Sequence, residues 1–215
     1  MGKRRGGVTA EARRRGDAKE VLPNFGNYIS SVNKRIFDIV AAFILLLITC
    51  WLFIVIILLY VLTFQFPIFF VQKRIGRDER VFKMIKFRTL RSGARPARER
   101  RFLLGNLLRF FSLDELPQLL NVMAGDMSLV GPRPLPVEYL PRIPQPYRRR
   151  HSVRPGITGW AQINGRHQIP WEEKFRLDLY YIDNWSMLLD LKIVVKTVGQ
   201  LLALKRDVSL EESGL

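Results

Sequence analysis

The chain has 215 residues, enough for one compact domain with added segments but hardly for two full domains. Its 35 Lys and Arg against 19 Asp and Glu give a net charge of +16, which suits nucleic acid, anionic lipid or phosphorylated substrates equally well. A single cysteine, Cys50, rules out an internal disulfide. With only His151 and His167 beside it, a zinc cluster is disfavoured, and any metal would be a hard cation such as Mg2+ held by carboxylate and phosphate oxygens.

Residues 1–30 carry Lys3-Arg4-Arg5 and Arg13-Arg14-Arg15 among Gly and Ala with no hydrophobic period. They read as a mostly disordered arm, either a solvated tail or an attachment to anionic lipid. Residues 39–64 are apolar except for Thr49, Thr63 and the Tyr60 hydroxyl. As a helix this run reaches about 39 Å, enough to cross a hydrocarbon core of about 30 Å with some tilt. Basic residues flank it on both sides, Lys34 and Arg35 before and Lys73, Arg74, Arg77 and Arg80 after. Positive charge marks the cytoplasmic side, so both ends claim that side. A helix that dips into the bilayer and returns near Thr49-Cys50-Trp51 satisfies both, and a straight span is its rival.

Two short strands are predicted within 67–72 and 81–89, joined by a turn at Gly76-Arg77-Asp78, with Lys86 and Arg88 on one face of the second. A basic loop or surface helix follows at 91–101. Leu103, Leu104, Leu107, Leu108 and Phe111 then recur at helical spacing. Ser112-Leu113-Asp114-Glu115 opens the next helix, and the Gly- and Pro-rich stretch beyond it is irregular, with a short helix around Glu138. A second Gly/Pro loop occupies 154–160. Helices are predicted over 171–182 and 188–204, ahead of a tail at 205–215.

Asp114 and Glu115 are the only acids between Glu99 and Asp126 of this basic chain. By themselves they look structural: Ser112 with Glu115 three residues on is a capping box, and Asp114 suits the first turn of a helix. Their surroundings admit a second role. A carboxylate at a helix start, where free N–H groups bind phosphate, could attack phosphorus, while its neighbour holds Mg2+ or moves a proton. Arg109 lies five residues before Asp114, and Arg133 stands between two prolines; each is a surface cation or a bidentate phosphate ligand.

The ordered set Lys34-Arg35-Ile36-Phe37-Asp38, Lys86-Phe87-Arg88-Thr89, Ser112-Leu113-Asp114-Glu115-Leu116-Pro117-Gln118, Gly125-Asp126-Met127-Ser128, Gly131-Pro132-Arg133-Pro134 and Arg154-Pro155-Gly156-Ile157-Thr158-Gly159-Trp160 resembles the bacterial sugar transferases. These are monotopic phosphoglycosyl transferases that begin glycoconjugate assembly on a polyprenyl phosphate. Ala161-Gln162-Ile163-Asn164-Gly165-Arg166 and Leu189-Asp190-Leu191-Lys192 extend the match, which runs from about residue 34 to 196.

The resemblance implies a ping-pong reaction with Asp114 as nucleophile on a UDP-sugar, Glu115 as its partner acid and Mg2+ at the pair. Arg109 and Arg133 would bind phosphate, with Lys86, Arg88, Arg154 and Gln162 as weaker candidates. It also implies an α+β, helix-rich fold: a re-entrant membrane helix at 31–66 joined to a catalytic domain at 67–204, on the cytoplasmic face of a bacterial inner membrane. The partners would be a UDP-sugar, a polyprenyl phosphate and a membrane with anionic lipids, and a homodimer is compatible with all of this. One departure concerns topology: Cys50-Trp51 stands where relatives commonly have Ser-Pro, whose proline helps turn the membrane helix. A non-catalytic membrane-anchored adaptor is the alternative reading. Nucleic-acid binding is disfavoured, since no recognition motif accompanies the charge. Nothing in the sequence names the sugar or the pathway.

Overall fold

Helix α1 (Phe25–Leu62) is 38 residues long and runs unbroken through Thr49-Cys50-Trp51. In the computed structural model the described residues are 25–93, 96–165 and 169–202, so residues 1–24 of the arm predicted at 1–30 and the tail at 205–215 lie outside them, while residues 25–30, expected to belong to a disordered arm, are helical. By its internal contacts the chain divides into Met1–Lys34 and Arg35–Leu215. The second unit holds most of α1 and every later element.

Within α1, Val32–Leu62 has a mean hydropathy of 3.2 in its most apolar stretch. Phe43, Leu47, Ile48, Trp51, Ile54 and Leu58 are exposed, so this helix needs a non-aqueous environment and the protein is membrane-associated. A narrow stripe faces the other way. Ala42 and Leu46 pack on the main core, and Phe53, Ile56 and Tyr60 pack against Phe87, Phe102 and Leu108.

Polar groups fasten both ends of that stripe to the same unit. Near the start, buried Asp38 accepts from Leu129 N at 3.1 Å, and Arg35 donates to Val122 O at 2.8 Å and Met123 O at 3.2 Å. Near the end, the Tyr60 hydroxyl donates to Arg88 O. No helix break accompanies the predicted turning point. The Thr49 hydroxyl bonds Leu45 O at 2.7 Å, which bends helices gently without interrupting them.

After a Pro-containing turn, strands β1 (Phe69–Ile75) and β2 (Val81–Phe87) pair antiparallel with Phe70 opposite Lys86 and Arg74 opposite Phe82. The first strand runs three residues beyond its predicted end because Lys73, Arg74 and Ile75 still pair with Lys83, Phe82 and Val81, and Ile75 N also bonds Leu135 O. On one face of the hairpin, Phe69 stacks on Phe87 at 5.3 Å, and Phe87 in turn stacks on Tyr60 of α1. The other face carries Arg74, Met84 and Lys86.

Helix α2 (Leu103–Phe110) buries Leu108 and Gly105, whereas Leu103, Leu107, Phe110 and the following Phe111 are exposed. Much of the apolar series that marks this helix in the sequence therefore faces outward. Gly105 is required where it stands, because a Cβ would lie 2.5 Å from Thr89 O.

Helix α3 (Gln118–Ala124) ends on Gly125, whose φ of +96° is the left-handed closure that glycine adopts without penalty. Strands β3 (Ser128–Val130) and β4 (Gly156–Thr158) form a parallel pair that the sequence did not suggest. Between them, the irregular stretch forms 3-10 turns at Val137–Arg142, which include the expected Glu138, and at Gln145–Ser152. The short helix α4 (Trp160–Asn164) leads to α5 (Trp171–Asp183) and α6 (Met187–Leu202), both close to their predicted bounds. The main core joins Phe82, Met84, Leu119, Val122, Met127, Leu129 and Ile193. The architecture is therefore α+β and helix-rich.

Candidate active site

Asp114 and Glu115 do not open an α-helix. Ser112 has φ +56° and ψ +21°, and its side chain makes no cap hydrogen bond, so the expected capping box is absent. Leu113–Glu115 is a 3-10 turn, held by Glu115 N to Ser112 O and Leu116 N to Leu113 O, both 3.3 Å. Pro117 supplies the reason. It lacks the N–H that an earlier α-helical turn would require, so α3 begins only behind it. The free N–H groups of a longer helix therefore do not account for anion binding at this pair.

What surrounds the pair is cationic. Asp114 is buried, and burial followed by the charge of Glu115 pushes its carboxyl up to about 6, against the pull of Lys86, Arg109 and Arg133. Glu115 is held by Arg133, Nη2 to Oε1 at 2.9 Å. Lys86 is lowered from its ordinary value chiefly by burial, with Asp114 and Glu115 working the other way. Arg109 is oriented by its Nε bond to the Thr89 hydroxyl at 2.8 Å. A small pocket next to Glu115 is lined by Arg74, Met84, Lys86, Gln118, Arg133 and Pro134. Of the predicted residues, Asp114, Glu115, Lys86, Arg109 and Arg133 thus form one constellation.

The other three are placed differently. Arg88 donates to the Ser92 hydroxyl at 2.6 Å and lies over the Phe70 ring, which Lys86 also approaches. Arg154 donates Nε to Gly125 O at 2.8 Å, near Arg35 and Asp38, where it helps close the end of α3. Gln162 on α4 has its amide buried without a hydrogen-bond partner, close to Gly159.

Several supporting residues escaped sequence reasoning. Arg74 lines the pocket and donates Nη1 to Pro134 O at 3.2 Å. Asn121 accepts from Ile85 N at 3.0 Å and donates to Lys83 O at 2.8 Å, completing the free edge of β2 as another strand would. It thereby fixes the strand that carries Lys86 to the helix that follows the acids. The Asn121 and Thr89 signals are invisible without the fold, since polar residues of both kinds are common on surfaces.

Among the described residues no group of three His, Cys, Asp or Glu side chains could hold a metal alone. Two adjacent carboxylates, one buried and raised by the other, nevertheless fit Mg2+, which commonly takes one or two carboxylates and completes its shell with water and substrate phosphate. A buried Asp114 with the half-buried Glu115 beside it, ringed by Lys and Arg, is an arrangement suited to phosphorylated ligands. The profile of the family described as "Bacterial sugar transferase" matches residues 29–204.

The chain belongs to that family, and is by membership a phosphoglycosyl transferase enzyme. It is 49% identical over 175 residues to a protein named "Uncharacterized sugar transferase EpsL" of Bacillus subtilis (strain 168), covering 79% of this chain and 87% of that one. It is 35% identical over 193 residues to the exopolysaccharide production protein ExoY of Sinorhizobium fredii, covering 79% and 85%. The UDP-glucose:undecaprenyl-phosphate glucose-1-phosphate transferase of Escherichia coli (strain K12) is 41% identical over 197 residues, covering 83% of this chain but 42% of that protein.

Proposed function

We propose that the protein transfers a phosphosugar from a UDP-sugar to undecaprenyl phosphate, releasing UMP, and so starts assembly of a polysaccharide or glycan. The observation that carries this reading is the buried Asp114 with Glu115 beside it and Lys86, Arg109 and Arg133 around it. The names of the relatives are compatible with this reading. A glucose-1-phosphate is what the Escherichia coli relative is named for moving, and exopolysaccharide production is what ExoY is named for.

The reaction runs in two displacements. An Asp114 carboxylate oxygen attacks the β-phosphorus of the UDP-sugar, a phosphosugar–Asp114 ester forms, and the bond to the α-phosphate oxygen breaks to release UMP. An oxygen of the polyprenyl phosphate then attacks the same phosphorus. The ester to Asp114 breaks, the carboxylate is restored, and a polyprenyl diphosphosugar leaves. A carboxylate approaches a diphosphate only when the phosphate charge is offset, which Arg133, Arg109 and Lys86 supply. Mg2+ held by Asp114, Glu115 and the phosphates would add charge neutralisation there. Glu115, fixed by Arg133, keeps a second carboxylate at hand for metal binding or proton transfer.

The acceptor is a lipid, so the nucleophile must work at headgroup level. The contacts that hold α1 against the domain near both of its ends, together with the two basic flanks, support both ends lying on one side of the bilayer, although α1 runs unbroken through Cys50-Trp51. The catalytic domain then lies on the cytoplasmic face of the inner membrane, with Phe110 and Phe111 toward lipid and basic residues near anionic headgroups.

The test uses purified protein with Mg2+, undecaprenyl phosphate and a panel of UDP-sugars, following UMP. One sugar should give UMP, and labelled phosphosugar should remain on the protein when the acceptor is withheld. Asp114→Asn should lower the rate by at least about a thousandfold, as loss of a nucleophile does. Unchanged activity of that variant would refute the assignment.

A further inference from the structure

Arg133 reaches the acid pair from Gly131-Pro132-Arg133-Pro134, and the prolines at 132 and 134 have no N–H with which to anchor the segment. Its carbonyls are held instead. Pro132 O accepts from Gly156 N at 3.0 Å, Arg133 O from Arg150 Nη2 at 2.9 Å, and Pro134 O from Arg74 Nη1 at 3.2 Å. The middle contact is made by a residue that does not line the pocket. Arg150 is 3% exposed, and its Nε and Nη2 both donate to Asp178 Oδ2, at 2.9 and 2.7 Å. Its guanidinium lies 5.5 Å from the centroid of the Phe175 ring, one turn earlier on α5.

Asp178 is equally buried. Two charges taken out of water gain little net stability from each other, and apolar side chains of similar volume would join α5 to the 3-10 turn as well. An apolar pair could not donate a hydrogen bond to Arg133 O. Asp178 accepts two of the guanidinium's bonds and fixes its plane, which leaves Nη2 aimed at that carbonyl. On the other side of the same residue, the Arg133 side chain meets Glu115. A continuous line of polar contacts therefore runs from α5 through Arg150 and Arg133 to the acid pair.

We propose that Arg150, held by Asp178, is a positioning residue that sets the main chain of Arg133 so that its guanidinium meets Glu115 and the donor diphosphate. This deepens the transfer reaction proposed above and rests on it for its kinetic consequence. Misplacing a phosphate ligand by a fraction of its hydrogen-bond length is costly in catalysis even where the fold is intact.

The test replaces both partners at once. Arg150→Met with Asp178→Leu leaves no lone buried charge, so the full-length protein in detergent should fold with a Tm near that of the wild type. The three amides within 131–135, those of Gly131, Arg133 and Leu135, should exchange hydrogen faster, and kcat/KM for the active UDP-sugar should fall at least about tenfold. Arg133→Ala should then add little in this background although it is costly in the wild type, because the two act through one contact. Arg150→Lys, which keeps the charge but cannot span both acceptors, should be intermediate.

A folded double variant with unchanged exchange at 131–135 and full additivity with Arg133→Ala would overturn the proposal. If the double variant fails to fold, exchange at 131–135 in Arg150→Lys decides in the same way, faster for the proposal and unchanged against it. If the wild type releases UMP from no UDP-sugar, the transfer reading falls, while the exchange measurement still decides the positioning.

Discussion

The surroundings of Asp114 disfavour its ionised form, which is an unusual condition for the nucleophile proposed above. Burial and Glu115 raise it to about 6, so between its ordinary value of 3.8 and that point the folded protein binds more protons than the unfolded chain. Its contribution to stability therefore declines as pH rises through this window and stays unfavourable above it. In the proposed reaction, a donor arriving with a cation would reverse the balance by giving the carboxylate an electrophile and a counter-charge. Asp114→Asn removes the unfavourable charge along with the proposed nucleophile. The variant is expected to be inactive yet more stable than the wild type at pH 7.5, on the order of 1 kcal/mol, with the difference shrinking as pH falls from 6 to 4. Thermal melts of both proteins across that range check it. A variant less stable than the wild type at pH 7.5 would show that Asp114 is fully compensated in the folded protein.

At the scale of elements, α1 joins the membrane to the chemistry through a small number of polar contacts. Tyr60 donates to Arg88 O, one residue beyond β2 and two beyond Lys86, while Asp38 accepts from Leu129 N at the edge of β3. A cysteine introduced at Ile36 and another at Gln65, each in a Cys50→Ser background, should be labelled from the same side of sealed vesicles. Labelling from opposite sides would establish a full span instead. The re-entrant reading rests on charge and on these anchors, and the apolar run itself was plain in the sequence.

The hairpin was equally legible, because alternation and a Gly-containing turn are local signals. The capping box was not, because its pattern of Ser and Glu holds only if Ser112 is extended, and a left-handed Ser112 followed by Pro117 forbids it. At the candidate site, the ordered motifs pointed to Asp114, Glu115 and Arg133, and to Arg109 as a basic position near them, and the structure brings these four side chains together. Arg150 and Asp178 were not recognisable: they lie 28 positions apart, and each resembles an ordinary surface charge until the fold buries both.

As a whole molecule, the protein combines two attachments that respond differently to salt. The exposed apolar faces of α1 are expected to hold it in hydrocarbon, an interaction that salt does not weaken. The net charge of +16 is expected to draw it to anionic headgroups, at about 1 kcal/mol per basic residue near the surface, a contribution that salt screens within a Debye length of about 10 Å at 0.1 M. Reconstituted protein should therefore float with zwitterionic vesicles even at about 1 M salt. Anionic lipid should speed association of detergent-diluted protein with vesicles at low salt, and that advantage should disappear at high salt. Full release from zwitterionic vesicles at high salt would refute the apolar anchor. An association rate indifferent to anionic lipid at low salt would show that the basic surface serves the phosphorylated substrates alone, the same cations being unable to distinguish a headgroup from a diphosphate except by where α1 places them.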